Sequence, residues 1–154
     1  MFNIVLFQPE IPPNTGNIIR LCANTGCALH LIHPLGFKLN DTTMKRAGLD
    51  YHEKAVLHEH QSFDDFIKNI RPKRLFAIET CGIKNYDEVN FIPGDTFIFG
   101  QETKGLPPWL LARLPKENIL KIPMKPNIRS INLSNAVALI TYEAWRQNQF
   151  SSFG

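Results

Sequence analysis

ILKIPMKPNIRSINLSNAVALITYEAWRQNQ, residues 119–149, is the stretch on which the fold reading turns. It opens on a short apolar run, residues 119–122, that reads as a strand. A loop follows, crowded with the short polar side chains of Asn127, Ser130, Asn132, Ser134 and Asn135. Residues 132–149 then form the longest helical segment of the chain. Capping that helix needs one such side chain, whose oxygen takes a free backbone N–H. The loop offers several more, so it reads as a ligand-binding mouth. Unpaired N–H groups at a helix start hold anions or ligand oxygens.

The helix itself carries two apolar stripes. At about 100° per residue, Leu133, Val137, Ile140 and Ala144 fall together. Ala138, Tyr142 and Trp145 fall nearly opposite. One stripe serves the core. The other serves either a second copy of the chain or deeper burial within one copy, and the sequence leaves both open.

Working outward, the same strand–loop–helix unit recurs. Residues 2–7 (FNIVLF) read as a buried strand, followed by a stiff proline-rich loop, PEIPPNTGN. Asn14 or Thr15 caps a helix over 17–25, which Gly26 ends. Strands are expected at 28–33, 55–58, 74–79 and 96–99. Helices are expected over 41–46, from Ser62 to 70, and over 107–113 with proline at the start. The strands are too apolar for one wet face. The pattern therefore predicts an α/β domain spanning residues 1–154, with a mainly parallel sheet covered by helices on both sides. Ligands of such sheets bind beyond the carboxyl ends of strands, here the loops after Phe7, Glu79, Phe99 and Ile122.

Composition narrows the class. With 154 residues, 44% hydrophobic and 20% charged, the chain has material for one core without a staple. Three cysteines cannot pair completely and none forms a CxxC, which fits a reducing compartment. No apolar run has membrane-spanning length, so the expectation is a cytoplasmic protein without a membrane partner. A net charge of +3 permits a nucleic-acid partner without requiring one. Neither a GxGxxG fingerprint nor a GxxxxGK[ST] loop is present, which excludes a standard Rossmann dehydrogenase and a P-loop NTPase.

The loop after Phe99, GQETKGL, places two glycines around a polar core, where a ligand can approach bare backbone, but taken alone it reads first as an ordinary strand-to-helix turn with Gly105 supplying positive φ. On the first helix Asn17, Arg20 and Asn24 share a polar face, so Arg20 could meet phosphate or ribose. His58-Glu59-His60 lacks a third ligand at suggestive spacing and reads as surface; no metal site is expected. Lys45, Arg46, Arg71, Lys73, Arg74, Lys121, Lys125 and Arg129 form a candidate RNA footprint.

Four stretches in order, IVLFQPEIPPNTGNIIRLCANTG, RAGLDYHE, FGQETKGLP and IPMKPNIRSINLSNAVALITYEAWRQ, resemble the SPOUT-superfamily tRNA methyltransferases of the TrmL (YibK-like) group. The match runs nearly end to end. The resemblance implies a Rossmann-like sheet ending in a C-terminal trefoil knot, S-adenosylmethionine as cofactor with S-adenosylhomocysteine as product, and a homodimer. It implies 2′-O-methylation of the wobble pyrimidine of tRNA, cytidine or carboxymethylaminomethyluridine in leucine isoacceptors. Carried over by position, Ile78, Gly100, Ile122, Ser130 and Ile131 would hold the cofactor. Asn14, Arg20 and Tyr142 match positions for tRNA binding or catalysis, with Lys104 and Arg129 as further RNA contacts. Arg20 matches a proposed base. A guanidinium is effectively always protonated, so stabilising developing charge or an adjacent phosphate suits it better. Glu102 is a candidate to offset the cofactor's sulfonium charge.

Three residues depart from the pattern: Gln101 for proline, Lys104 for arginine and Ile131 for methionine. Ile131 keeps its site apolar, while Lys104 keeps the charge but loses the planar fork. Two alternatives stay in view: another tRNA or rRNA ribose as target, and an RNA-binding module without catalysis.

Overall fold

The computed structural model describes residues 1–40, 42 and 57–152. In chain order the strands are β1 (Asn3–Phe7), β2 (Ala28–Ile32), β3 (Leu57–His60), β4 (Leu75–Ile78), β5 (Lys84–Asn85), β6 (Thr96–Phe99) and β7 (Ile119–Lys121). The helices are α1 (Pro12–Thr25), α2 (Phe63–Ile70), α3 (Pro108–Leu111) and α4 (Leu133–Gln147). The sheet runs β3-β2-β1-β6-β4-β7-β5, with every neighbouring pair parallel.

Parallel strands must be covered on both faces, and the side-chain period of two supplies both covers. Ile4 and Leu6 of β1 face one core, with Leu29, Leu31, Phe97 and Leu120, under α1 and α4. Val5 and Phe7 face the other, with Ala77 and Ile98, under Phe63 and Phe66 of α2 and Leu110 of α3. The first core holds an aromatic cluster in which Phe91 stands edge-on to Phe76 (5.5 Å, 83°) and Phe97 (5.0 Å, 86°).

Several local expectations change. PEIPPNTGN is not all loop: α1 begins at Pro12, because a proline in the first helical turn loses no hydrogen bond. Asn14 and Thr15 are therefore inside the helix and buried, and Ile11 occupies the cap without a side-chain bond. Gly26 ends the helix in the left-handed region at φ 76°, as expected. Ser62 caps α2 through Asp65 N–H at 3.0 Å, also as expected. The strand expected at 55–58 occupies Leu57–His60. The helix expected over 41–46 lies, apart from Thr42, outside the described residues, as do Lys45, Arg46 and the RAGLDYHE stretch.

The His58-Glu59-His60 reading needs correcting. His58 is exposed, but His60 is buried and its Nε2 lies 3.0 Å from His30 Nδ1. His30 Nε2 in turn lies 3.1 Å from Asn3 Oδ1. An amide oxygen only accepts, so His30 donates through Nε2 and accepts at Nδ1 from His60. Arg74 leaves the candidate RNA footprint as well. It pairs with buried Asp95 at 2.9 Å and lies over the Phe76 ring.

Candidate active site

The carboxyl ends of β4, β6 and β7 and the N-termini of α1 and α4 enclose a cleft of about 720 Å³. Its floor is apolar: Ile78, Phe99, Ile122 and Ile131, with Leu133 and Ala136 from the first turn of α4. Its walls are polar: Asn14, Glu79, Thr80, Glu102, Thr103, Ser130 and Asn132. Lys104 and Arg129 stand exposed at the rim.

The loop after β6 is folded tightly on itself. Gly105 N–H donates to Gln101 O at 2.9 Å, and Leu106 N–H donates to a Glu79 carboxylate oxygen. A Cβ on Gly100 would overlap the Gly105 carbonyl carbon and Leu106 N. Gly105 has φ 67°, and a Cβ there would strike the Glu79 carboxylate. Both glycines are thus required by space or conformation, and they leave bare backbone along the cleft wall.

Side chains wire three strand-end loops together. The Glu102 carboxylate accepts Glu10 N–H at 2.8 Å and Ile11 N–H at 3.1 Å, the two backbone donors just ahead of α1, whose first two residues are prolines without an N–H. Asn14 Nδ2 reaches Glu102 Oε1 at 3.5 Å, and Asn132 Nδ2 donates to Asn14 Oδ1 at 3.0 Å. Asn132 Oδ1 caps α4 by accepting Asn135 N–H at 3.2 Å. The polar surplus at the start of α4 is thereby divided. Asn132 caps the helix, Ser134 hydrogen-bonds to Asn132 at 2.6 Å, and Ser130 faces the cleft.

Ile78, Gly100, Ile122, Ser130 and Ile131 come together in this cleft, with Asn14, Lys104 and Arg129 beside them. Arg20 and Tyr142 are not in its lining. Arg20 lies on the exposed face of α1, and Tyr142, 43% exposed, lies on the outer side of α4. Glu102 lines the cleft with both carboxylate oxygens already accepting backbone N–H groups. Glu79 and Thr80 were not among the expected site residues, whereas Asn132 belongs to the polar loop expected to bind ligand. The signal for Glu79 and Thr80 was their position directly after β4, where the fold puts ligands.

Among the described residues no group of three or more His, Cys, Asp or Glu side chains could hold a metal. The cleft combines an apolar floor, exposed backbone, hydrogen-bonding walls and rim cations. That set suits a purine-like or thioether-bearing ligand next to a phosphate-bearing one.

The SpoU rRNA methylase family model matches residues 1–142. The chain belongs to that family. It is 58% identical over 151 residues to the tRNA (cytidine(34)-2′-O)-methyltransferase of Saccharophagus degradans, covering 98% of each. Its fold superposes on a solved structure concerned with 2-OH methylation of C/U34 on tRNA, at TM-score 0.89 and 45% identity, covering 98% of both chains. The SpoU methyltransferase AviRb from Streptomyces viridochromogenes, solved with AdoMet, shares the fold at TM-score 0.84 and 20% identity; the match covers 97% of this chain and 61% of that one. This SpoU-family chain is therefore a methyltransferase, built on the parallel sheet that the sequence pattern predicts.

Proposed function

We propose that the chain transfers a methyl group from S-adenosylmethionine to the ribose 2′-hydroxyl of the pyrimidine at position 34 of tRNA. The observation that carries the reading is the single cleft that gathers Ile78, Gly100, Ile122, Ser130 and Ile131 at the sheet's carboxyl edge. Relatives matching nearly the whole chain are named for that substrate. The cofactor fits the residues present. Its adenine suits the Ile78, Ile122 and Ile131 surface, and its polar groups suit the bare backbone beside Gly100 and the Ser130 hydroxyl. When bound, the cofactor supplies an electrophilic methyl group.

The protein's part is then chiefly placement. The 2′-hydroxyl must be held in line with the methyl group, and its proton must leave. Hydrogen bonds from N–H groups make a carboxylate a poorer proton acceptor, and both oxygens of Glu102 already accept backbone N–H groups, while Glu79 is engaged through Oε1 by Leu106 N–H. Water or a neighbouring phosphate of the tRNA takes it in this scheme. Arg20 donates to developing negative charge, while Lys104 and Arg129 hold phosphates and Asn14 orients the ribose.

The working unit in this reading is a homodimer. The second apolar stripe of α4 is only partly covered in one copy: Ala138 and Trp145 are half-buried, Trp145 against the core, while Tyr142 is 43% exposed, with Leu139 (42%) and Phe150 (53%) exposed beside it. A groove lined by Tyr86, Ile131, Ala138, Leu139, Tyr142 and Phe150 runs along it. A second copy seated there would bring Arg20 and Tyr142, absent from the cleft lining, into a composite site. Threading of the segment after β7 into a trefoil belongs to the same proposal. It draws on β7, the last strand of the chain, lying between β4 and β5, two strands that precede it in sequence.

Incubation with isotopically labelled S-adenosylmethionine and tRNA, followed by nuclease digestion and mass spectrometry, tests the reaction. Label on the ribose of nucleotide 34 is expected. Label elsewhere would overturn the substrate assignment. No label, with no calorimetric binding of S-adenosylmethionine, would favour an RNA-binding module.

A further inference from the structure

Two acidic residues far apart in sequence exchange hydrogen bonds in a reciprocal pattern. Glu102 accepts the N–H groups of Glu10 and Ile11 at 2.8 and 3.1 Å. Glu10 answers by accepting from its neighbour in the other loop. Its Oε1 receives Thr103 Oγ1–H at 2.7 Å and Thr103 N–H at 3.3 Å. This is the logic of a capping box, in which two side chains satisfy each other's backbone donors. Here it operates between loops about ninety residues apart, not within one helix start.

The first half of the exchange satisfies the two backbone donors that lead into α1. The second half is not, because Thr103 N–H sits in an exposed loop where water could satisfy it. Glu10 is also held from behind. Gly36 N–H donates to Pro9 O at 2.9 Å, and a Cβ on Gly36 would lie 2.8 Å from Glu10 Cα. So the carboxylate extends from a fixed backbone onto the loop 100–106, which Glu79 ties to the end of β4 and Glu102 ties to the start of α1, and it adds a second tie to α1 at Thr103.

We propose that Glu10 is a positioning residue of the methyl-transfer site, and that its grip on Thr103, added to the Glu102 bonds, fixes the register between the loop 100–106 and α1. The inference rests on the methyltransferase reading above. The loop 100–106 would place the cofactor, and α1 carries Asn14 and Arg20, which would place the ribose and its phosphate. Breaking the latch leaves each part intact and removes one of the two ties between them, so the loop can shift about the remaining Glu102 bonds. An error of about an ångström between reacting groups costs far more in turnover than in binding.

The test compares Glu10→Ala, Glu10→Gln, Thr103→Val and the Glu10→Ala/Thr103→Val double variant. Initial rates on tRNA give kcat and the cofactor KM, and thermal melting follows the fold. Glu10→Ala and Thr103→Val should each lower kcat about tenfold and move the cofactor KM less than about threefold. The double variant should lose no more than the worse single, because both remove one interaction. Glu10→Gln keeps the Oε1 acceptor and should stay within about threefold of the parent. Wild-type kcat in Glu10→Ala, additive losses, or a Gln variant as poor as Ala would overturn the proposal. A parent chain that methylates no tRNA would instead overturn the functional reading. Amide exchange at Thr103, read without any substrate, then decides the latch: protection lost in Glu10→Ala supports it, and no protection in the parent refutes it.

Discussion

Gly100→Ala offers a sharp test of the cleft. A Cβ built at Gly100 lies within van der Waals overlap of three backbone atoms, Gly105 C, Leu106 N and Gly105 Cα, the last at 2.6 Å. None is the end of a flexible side chain, so the loop 100–106 must open. Overpacking of this kind costs about 1–3 kcal/mol. Part of the cost is relieved by shifting the loop, and that shift moves the backbone proposed to face the cofactor. At 1.4 kcal/mol per decade, the expected loss of affinity for S-adenosylhomocysteine is about tenfold to a hundredfold, read by calorimetry. Gly26→Ala is the control. Gly26 has φ 76° with nothing within 4 Å of its Cβ, at the far end of α1. It should cost about 1 kcal/mol of stability from backbone strain alone, or about 3 °C in Tm, with cofactor affinity unchanged. Parental affinity in Gly100→Ala, or equal affinity losses in both variants, would refute the placement of the cofactor against this loop.

Arg20→Ala is expected to fold and bind cofactor normally while losing tRNA methylation, with Arg20→Lys in between; full activity in the alanine variant would remove Arg20 from the mechanism. Burial, with His58 and His60 alongside, holds the His30 imidazole down to about 4, against about 6.5 in the unfolded chain. The unfolded state therefore takes up the proton first, so stability is full above about pH 6.5 and falls as the pH drops toward 4, by about 3 kcal/mol at most. Urea midpoints across that window should show the fall in the parent and a shallower one in His30→Gln; equal slopes would clear His30 of the effect. Leu139→Asp, beside the partly covered stripe of α4, should convert a dimer to monomers in light-scattering chromatography without lowering the Tm of the monomer, since the side chain is 42% exposed. A parent that elutes as a monomer would defeat the dimer reading.

What the sequence revealed and what it withheld follow from the range of the forces involved. Apolar runs bounded by turn residues identify β1, β2, β4, β6 and β7, because burial on both faces leaves a local mark. Strand β5 escaped because it is only Lys84 and Asn85, two polar residues held at the edge by β7. The loop 127–135 announced itself through its excess of short polar groups, and Gly100 and Gly105 through their spacing. Ties to distant residues leave no local mark. Asn14 and Thr15 look like caps in sequence, yet two prolines start the helix earlier and the distant Glu102 carboxylate holds the backbone that leads into it. The buried His30–His60 pair was likewise invisible. His60 sits in a polar-looking run, and only the register of β2 on β3 turns it inward against His30.

The same distinction sorts the site residues. Those expected to hold the cofactor lie at strand ends or in the loops that follow them, where fold and sequence position together determine location, and they converge in one chain. Those expected to act on RNA divide. Asn14, Lys104 and Arg129 share the cleft, whereas Arg20 and Tyr142 project from the outer faces of α1 and α4. These two helices pack against each other. A residue useful to the reaction yet pointing away from its own cleft makes sense when another copy, or the tRNA itself, covers that surface. The apolar groove beside Tyr142 favours the second copy, since RNA offers little to Leu139 and Ala138. Mixing an Arg20→Ala chain with a Gly100→Ala chain, at a cofactor concentration that fills the parental cleft but not the weakened one, separates the cases. Activity recovered in the mixture would mean that arginine and cleft come from different copies. No recovery, with mixed dimers shown to form, would place them in one.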